Sequence, residues 1–277
     1  MKKRQASPLG RIFMILVYLF LYAPIFVLIV FSFNSSKSRS VWTGFTFKWY
    51  TELFQDSSIL SSLGTTLLVS VLSALIATLV GTIAAVGFFN MKKRWSTPLL
   101  SVNNIPVMNA DIVTGVSLCL AFVAAGSFLK FKLGFGTLLI AHITFNIPYV
   151  ILSVMPKLQQ MDKHLVDAAQ DLGCTWSQAF VKVIMPEIMP GIVNGAIIAF
   201  TMSVDDFVIS YFTAGSKVQT LAMNIYSMTR KRISPKINAV STLLFLVVMI
   251  LLIIVNIRES RQNAEAERKK LKAASEP

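Results

Sequence analysis

A chain of 277 residues carries 26 Lys and Arg against 13 Asp and Glu, a formal charge of +13, yet only 14% of its residues are charged and 55% are hydrophobic. A mean hydropathy of +0.66 excludes a disordered chain and argues against a soluble enzyme. Nor are the basic residues spread over a polar surface as in a nucleic-acid binder, and two cysteines, Cys119 and Cys174, are too few for a disulfide framework.

The apolar residues gather in six runs. Ile12 to Phe33 is uncharged, as are Leu63 to Asn90, Leu133 to Pro156 and Ile237 to Ile257. Trp95 to Leu129 holds only Asp111, and Ile188 to Ser216 only Asp205 and Asp206. About 20 apolar residues suffice to cross a hydrocarbon core, so the fold class is all-α, a polytopic membrane protein of six transmembrane helices. The first run follows Lys2, Lys3 and Arg4 but exceeds a signal core and lacks a small-residue cleavage site, so it reads as an uncleaved helix, kinked or broken at Pro24. Residues 1–11 are then an N-terminal tail, 12–33 the first helix, 34–60 an outer segment and 61–256 the main membrane domain. Its helices fall near 99–128, 134–155, 188–214 and 237–257, after one at 63–90, and 258–277 is a tail.

Six spans place both termini on one side. Sixteen Lys and Arg lie on the termini's side and ten on the other, which favours cytoplasmic termini by the positive-inside rule, although Arg230-Lys231-Arg232 dissents. In the outer segment, Trp42, Phe45, Phe47, Trp49 and Tyr50 read either as an interfacial aromatic belt or as a lining for arriving substrate. Ser73, Ala77, Gly81 and Ala85, and the Gly191–Gly195 pair, carry the small-residue spacing of closely packed membrane helices. Pro106 breaks the third run, and Asn109 or Asp111 is placed to cap its continuation.

The loop from 157 to 187 is too long for a turn. Asp162 can start a short helix that Gly173 ends, and a second, from about Thr175 to Met185, is expected to stop at Pro186. Two short helices outside a membrane form a surface for docking.

Within this loop stand Asp167-Ala168-Ala169, Gly173, and Ile184-Met185-Pro186. The pattern resembles the EAA loop of ABC importer membrane subunits, Glu-Ala-Ala, three residues, Gly, nine residues, Ile, one residue, Leu-Pro. Asp167 here replaces Glu and one extra residue precedes Ile184. Phe31 to Ser36 followed by Phe47-Lys48-Trp49-Tyr50, then Ala141 to Phe145, Ser203-Val204-Asp205-Asp206 and Ile225 to Met228, are similar to spermidine/putrescine permeases of the PotC and PotI kind. The resemblance implies a type I importer permease fold in a prokaryotic cytoplasmic membrane. It also implies an obligate second permease subunit, two ATP-binding subunits and an extracytoplasmic polyamine-binding protein. Asp167, Ala168, Ala169, Gly173, Ile184 and Pro186 would couple to the ATPase. No Walker A pattern occurs in the chain, so no catalytic residues, metal or cofactor are expected here, with ATP and Mg used by the partner ATPase, and no nucleic acid is involved.

Asp111, Asp205 and Asp206 would together cost on the order of 8–10 kcal/mol if ionised against lipid at mid-membrane. They must face water, pair with a cation or cap backbone. A helix running outward from Ile188 carries Asp205 about 26 Å along, into the outer half. One reading makes Asp111 a helix cap and the adjacent pair a helix terminus bound to a base such as Arg230. The other makes Trp49, Asp111, Ser203, Asp205 and Asp206 a cation path suited to polyamines. His142 reads as a structural hydrogen-bonder. Ferric ion, thiamine or phosphonate importers share the machinery, and a proton-coupled carrier using Asp111, Asp205 and His142 is the reading of a different class.

Overall fold

A computed structural model describes residues 8–36, 41–162, 164–231 and 235–273. The basic cluster Lys2-Lys3-Arg4, together with Lys37, Arg39, Lys163, Arg232 and the last four residues of the tail, lies outside them. The described residues are almost wholly helical, and six of their helices are long and apolar enough to cross a membrane. The chain divides into two compact units, Met1–Leu60 with Asn224–Met249, and Ser61–Met223 with Ile250–Pro277.

In the first unit, α1 (Pro8–Phe31) runs through Pro24 without a break, contrary to a break there. A proline removes one backbone donor, and the rest of the ladder carries the helix past it. Its side chains are exposed along nearly its whole length, Phe20 to 81%, as a lipid-facing helix requires. The chain then folds back on Asn34, which forms an isolated antiparallel bridge with Phe45. The Asn34 side chain donates to the Val41 carbonyl (2.8 Å) and accepts from the Thr43 amide (3.0 Å). Phe33, Phe45, Phe47 and Tyr50 stack into a cluster with ring centroids 5.0–5.5 Å apart. The short α2 (Lys48–Phe54) follows. Lys236, which opens α12 (Lys236–Ala273), reaches Glu52 at 3.4 Å and Asp56 at 3.7 Å.

The second unit is built on α6 (Phe135–Gln160). Against it lie α3 (Ser57–Asn90) and α9 (Met185–Asp205), with a core of Ala77, Ala85, Val150, Ile151, Val154, Leu158, Ile188 and Ala199. The small residues read from the sequence are used here. A Cβ on Gly81 would stand 2.8 Å from the Val150 side chain, and one on Gly191 2.8 Å from the Ser153 carbonyl oxygen. The glycine spacing therefore packs α3 and α9 onto the same chain's α6.

Two runs are interrupted, the third just beyond the break expected at Pro106 and the fifth where none is expected. The third divides into α4 (Lys93–Met108) and α5 (Asp111–Leu129). Pro106 lies inside α4, and the break comes at Asn109 and Ala110, both extended. Ala110 occupies the capping position of α5 with no side-chain cap, and Asp111 is the first helical residue, where its charge complements the helix dipole. The fifth run ends as α9 at Asp205, and after Asp206 and Phe207 resumes as the short α10 (Val208–Thr213). α10 packs on α5, where a Cβ on Gly115 would stand 3.1 Å from the Phe212 ring and 3.4 Å from the Val208 carbonyl oxygen. Next in the chain, α11 (Leu221–Lys231) begins with the Leu221 amide donating to Thr66 Oγ1 at 2.8 Å.

Candidate functional site

The loop between α6 and α9 is organised by short-range bonds. Asp162 accepts from the His164 amide at 3.0 Å and opens α7 (His164–Asp171). Its end closes as a Schellman turn, Gly173 N–H to Gln170 O (2.8 Å) and Cys174 N–H to Ala169 O (3.0 Å), with Gly173 at φ +84°. Only glycine takes that conformation without strain. A reciprocal cap between Thr175 and Gln178 then starts α8 (Trp176–Ala179).

Pro186 does not stop this second helix. A π-helical turn, Phe180–Ile184, carries it directly into α9, where Pro186 is the second residue. A proline near a helix start forfeits little, and the wide turn ahead of it relaxes the ladder the ring would strain.

Of the residues matching the EAA pattern, Asp167 and Ala168 are exposed on α7, Ala169 is half-buried, Gly173 forms the turn, Ile184 is buried, and Pro186 is exposed. Leu165, Leu172, Trp176 and Val181 are exposed beside them, Leu172 to 88%. Trp176 stacks on Phe180 at 5.6 Å. These four exposed apolar side chains lie on α7, on the turn that follows it and at the start of the long helix that continues into α9.

Beneath α3, α6 and α9 lies a buried polar network. His142 Nδ1 is 2.6 Å from Ser203 Oγ, and Nε2 is 3.0 Å from Ser210 Oγ and 3.4 Å from Asp206 Oδ2. Ser203 Oγ also meets Ser73 Oγ at 2.8 Å and Asn146 Nδ2 at 3.2 Å. Asp206 accepts from the Ile209 amide (3.1 Å), the Ser210 amide (2.7 Å) and the Ser210 hydroxyl (2.8 Å). One donor order satisfies the ring: Ser203 donates to Nδ1, Nε2 donates to Ser210, and Ser210 donates to Asp206. Serine, histidine and aspartate in contact suggest a hydrolytic triad, but Ser203 is 3% and His142 1% exposed, so no substrate reaches the hydroxyl.

The residues chosen from sequence thus separate. Asp206 and Ser203 belong to the buried network. Asp205 and Asp111 are exposed. They lie on segments that the close approach of Gly115 to Val208 and Phe212 joins. Trp49, in the first unit, is 3% exposed and donates its indole N–H to the Asn34 carbonyl at 2.7 Å. Ser73 reads from the sequence only as a packing residue, and Asn146 and Ser210 escape sequence reasoning, although both carry a signal: Asn146 comes four positions after His142, and Ser210 four after Asp206.

Residues 77–258 match the family described as binding-protein-dependent transport system inner membrane component. The chain belongs to that family. It is 37% identical over 241 residues to the spermidine/putrescine transport system permease protein PotC of Escherichia coli (strain K12), covering 87% of this chain and 90% of that one. It is 37% identical over 241 residues to the putrescine transport system permease protein PotI of the same strain, covering 86% of each. It is therefore a homologue of polyamine permease subunits and an inner-membrane component with six apolar helices. Its fold matches a chain of the bacterial alginate ABC transporter in complex with alginate pentasaccharide-bound periplasmic protein, with TM-score 0.66 at 15% identity over 91% of this chain and 93% of that one. The type I importer permease architecture is thus established, and families of this kind work with a second permease, ATPase subunits and a binding protein.

Proposed function

We propose that this chain is the permease subunit of an ATP-driven importer that carries spermidine or putrescine into the cytoplasm. The observation that carries the reading is identity of 37% across nearly the whole chain to two permeases of polyamine systems. The partners are a second permease forming a heterodimer, two ATP-binding subunits that use ATP and Mg, and an extracytoplasmic polyamine-binding protein. Both termini face the cytoplasm, which places the α7–α8 loop on the ATPase side.

Asp167, Ala168, Ala169 and Gly173 form the surface that docks on the ATPase, while Ile184 and Pro186 join that surface to α9. The continuous helix from Trp176 to Asp205 supports this role. A push on α8 is transmitted along α9 to the break at Asp206 rather than absorbed in a flexible linker, and rigid-body switching results.

The cargo path is lined by Asp111 and Asp205, whose exposed carboxylates suit ammonium groups. Ser203 and Asp206 support it from behind, by holding the end of α9 on which Asp205 stands, while Trp49 holds the Asn34 turn of the first unit. The test is uptake of labelled putrescine and spermidine by proteoliposomes holding the complete importer. Uptake must require ATP and loaded binding protein, and survive collapse of the proton gradient. Uptake driven by a proton gradient without ATP would overturn the reading in favour of a secondary carrier.

A further inference from the structure

We propose that His142 is a positioning residue for transport: it latches the break between α9 and α10 to α6, and so fixes where Asp205 is presented. This rests on Asp205 lining a cation path. The break leaves Asp206 extended, with φ −66° and ψ 126°, between Asp205, the last residue of α9, and α10. Such a joint is free to swing unless both of its sides are held. His142 holds both. Its Nδ1 is bonded to Ser203, in the last turn of α9, and its Nε2 to Ser210 and Asp206, on the α10 side.

Each member of the latch is fully engaged. The Asp206 carboxylate receives two backbone amides and the Ser210 hydroxyl, with His142 against the same oxygen. Its side chain is 7% exposed. Ser203 is held in addition by Ser73 from α3 and Asn146 from α6. A carboxylate so occupied is not offered to a passing cation. Asp205, its neighbour, is exposed and makes no hydrogen bond or ion pair among the described residues. The two adjacent acids therefore divide the work, Asp206 as part of the joint and Asp205 facing the cargo. Because the joint terminates the helix that begins at the docking loop, a loosened latch uncouples loop from path as well as misplacing Asp205.

The complete importer in proteoliposomes separates these roles, with uptake and binding-protein-stimulated ATP hydrolysis both measured per assembled complex. His142→Ala is expected to lower uptake and stimulated hydrolysis together, by about ten-fold. His142→Gln, which keeps an amide donor and acceptor, should recover part of both. Asp206→Asn should lower both, and combining it with His142→Ala should add little to either single change, since one latch is broken once. Asp205→Asn should instead lower uptake while stimulated hydrolysis stays near the parent value. The latch is overturned if His142→Ala leaves both quantities unchanged, if it lowers uptake alone, or if the double variant multiplies the two losses. Should His142→Ala fail to assemble, His142→Gln combined with Ser210→Ala takes its place under the same criteria. If Asp205→Asn leaves uptake unchanged, the cation path falls while the latch is judged on the His142 and Asp206 results alone.

Discussion

Replacing Gly191 by alanine tests the packing that holds the second unit together. The new Cβ would lie 2.8 Å from the Ser153 carbonyl oxygen, 2.9 Å from Lys157 Cγ and 3.2 Å from Val154 Cα. The lysine stem can move aside, but the carbonyl belongs to the backbone of α6. An ordinary contact begins near 3.4 Å, so α9 must withdraw by about 0.6 Å along a line of tightly fitted residues, and close-packed interiors do not yield freely. Overpacking of this kind costs about 1–3 kcal/mol, of which alanine's better helix propensity returns up to about 1 kcal/mol. With a mid-range overpacking cost of about 2 kcal/mol and the full return of about 1 kcal/mol, the net loss is about 1 kcal/mol, or about 2–4 °C in the thermal midpoint for a chain of this size. Gly87, on α3, has no atom within 4 Å of its would-be Cβ, so Gly87→Ala should hold or raise the midpoint. The assay is thermal unfolding of the purified, assembled complex in detergent, tracked through a reporter on this chain. A Gly191→Ala midpoint at or above the parent's, or equal losses at both positions, would refute the argument that α6 and α9 touch through this glycine.

Three further outcomes are expected. Gly173→Val forces a β-branched residue to φ +84°, a strain of order 1–3 kcal/mol, and should reduce co-purification of the ATPase while the membrane helices stay folded. Trp176→Ala removes an exposed ring stacked on Phe180; stimulated ATP hydrolysis should fall several-fold, and unchanged hydrolysis would exclude this face from docking. Trp49→Phe keeps an aromatic side chain but loses the 2.7 Å bond to the Asn34 carbonyl, a buried hydrogen bond worth about 0.5–1.5 kcal/mol; a lowered melting midpoint without loss of polyamine uptake per folded complex would mark its role as structural.

Membrane spans are a local property, since composition over about 20 residues decides whether a helix can leave water. The six spans, the long polar loop and the all-α class were therefore legible in the chain. So were the loop's caps, because Asp162 to His164, Thr175 to Gln178 and the turn at Gly173 are bonds within a few residues. Proline was the weakest guide. Pro24, Pro106 and Pro186 all lie inside helices or at their starts, because a helix long enough to be held by its neighbours, or by the absence of water, tolerates one missing donor.

Sequence alone determined that three acids stand in apolar runs and must be satisfied, and that a long loop carrying its own short helices joins two of the runs. Which acid is spent and which is free was decided only by the tertiary structure. His142 reaches Ser203 and Ser210 across 61 and 68 positions of sequence, and no local pattern encodes that meeting. Asp205 and Asp206 are adjacent and chemically alike. One is exposed and the other enclosed because α9 ends between them, and it ends there because the buried partners of Asp206 are already in place on α6 and α10.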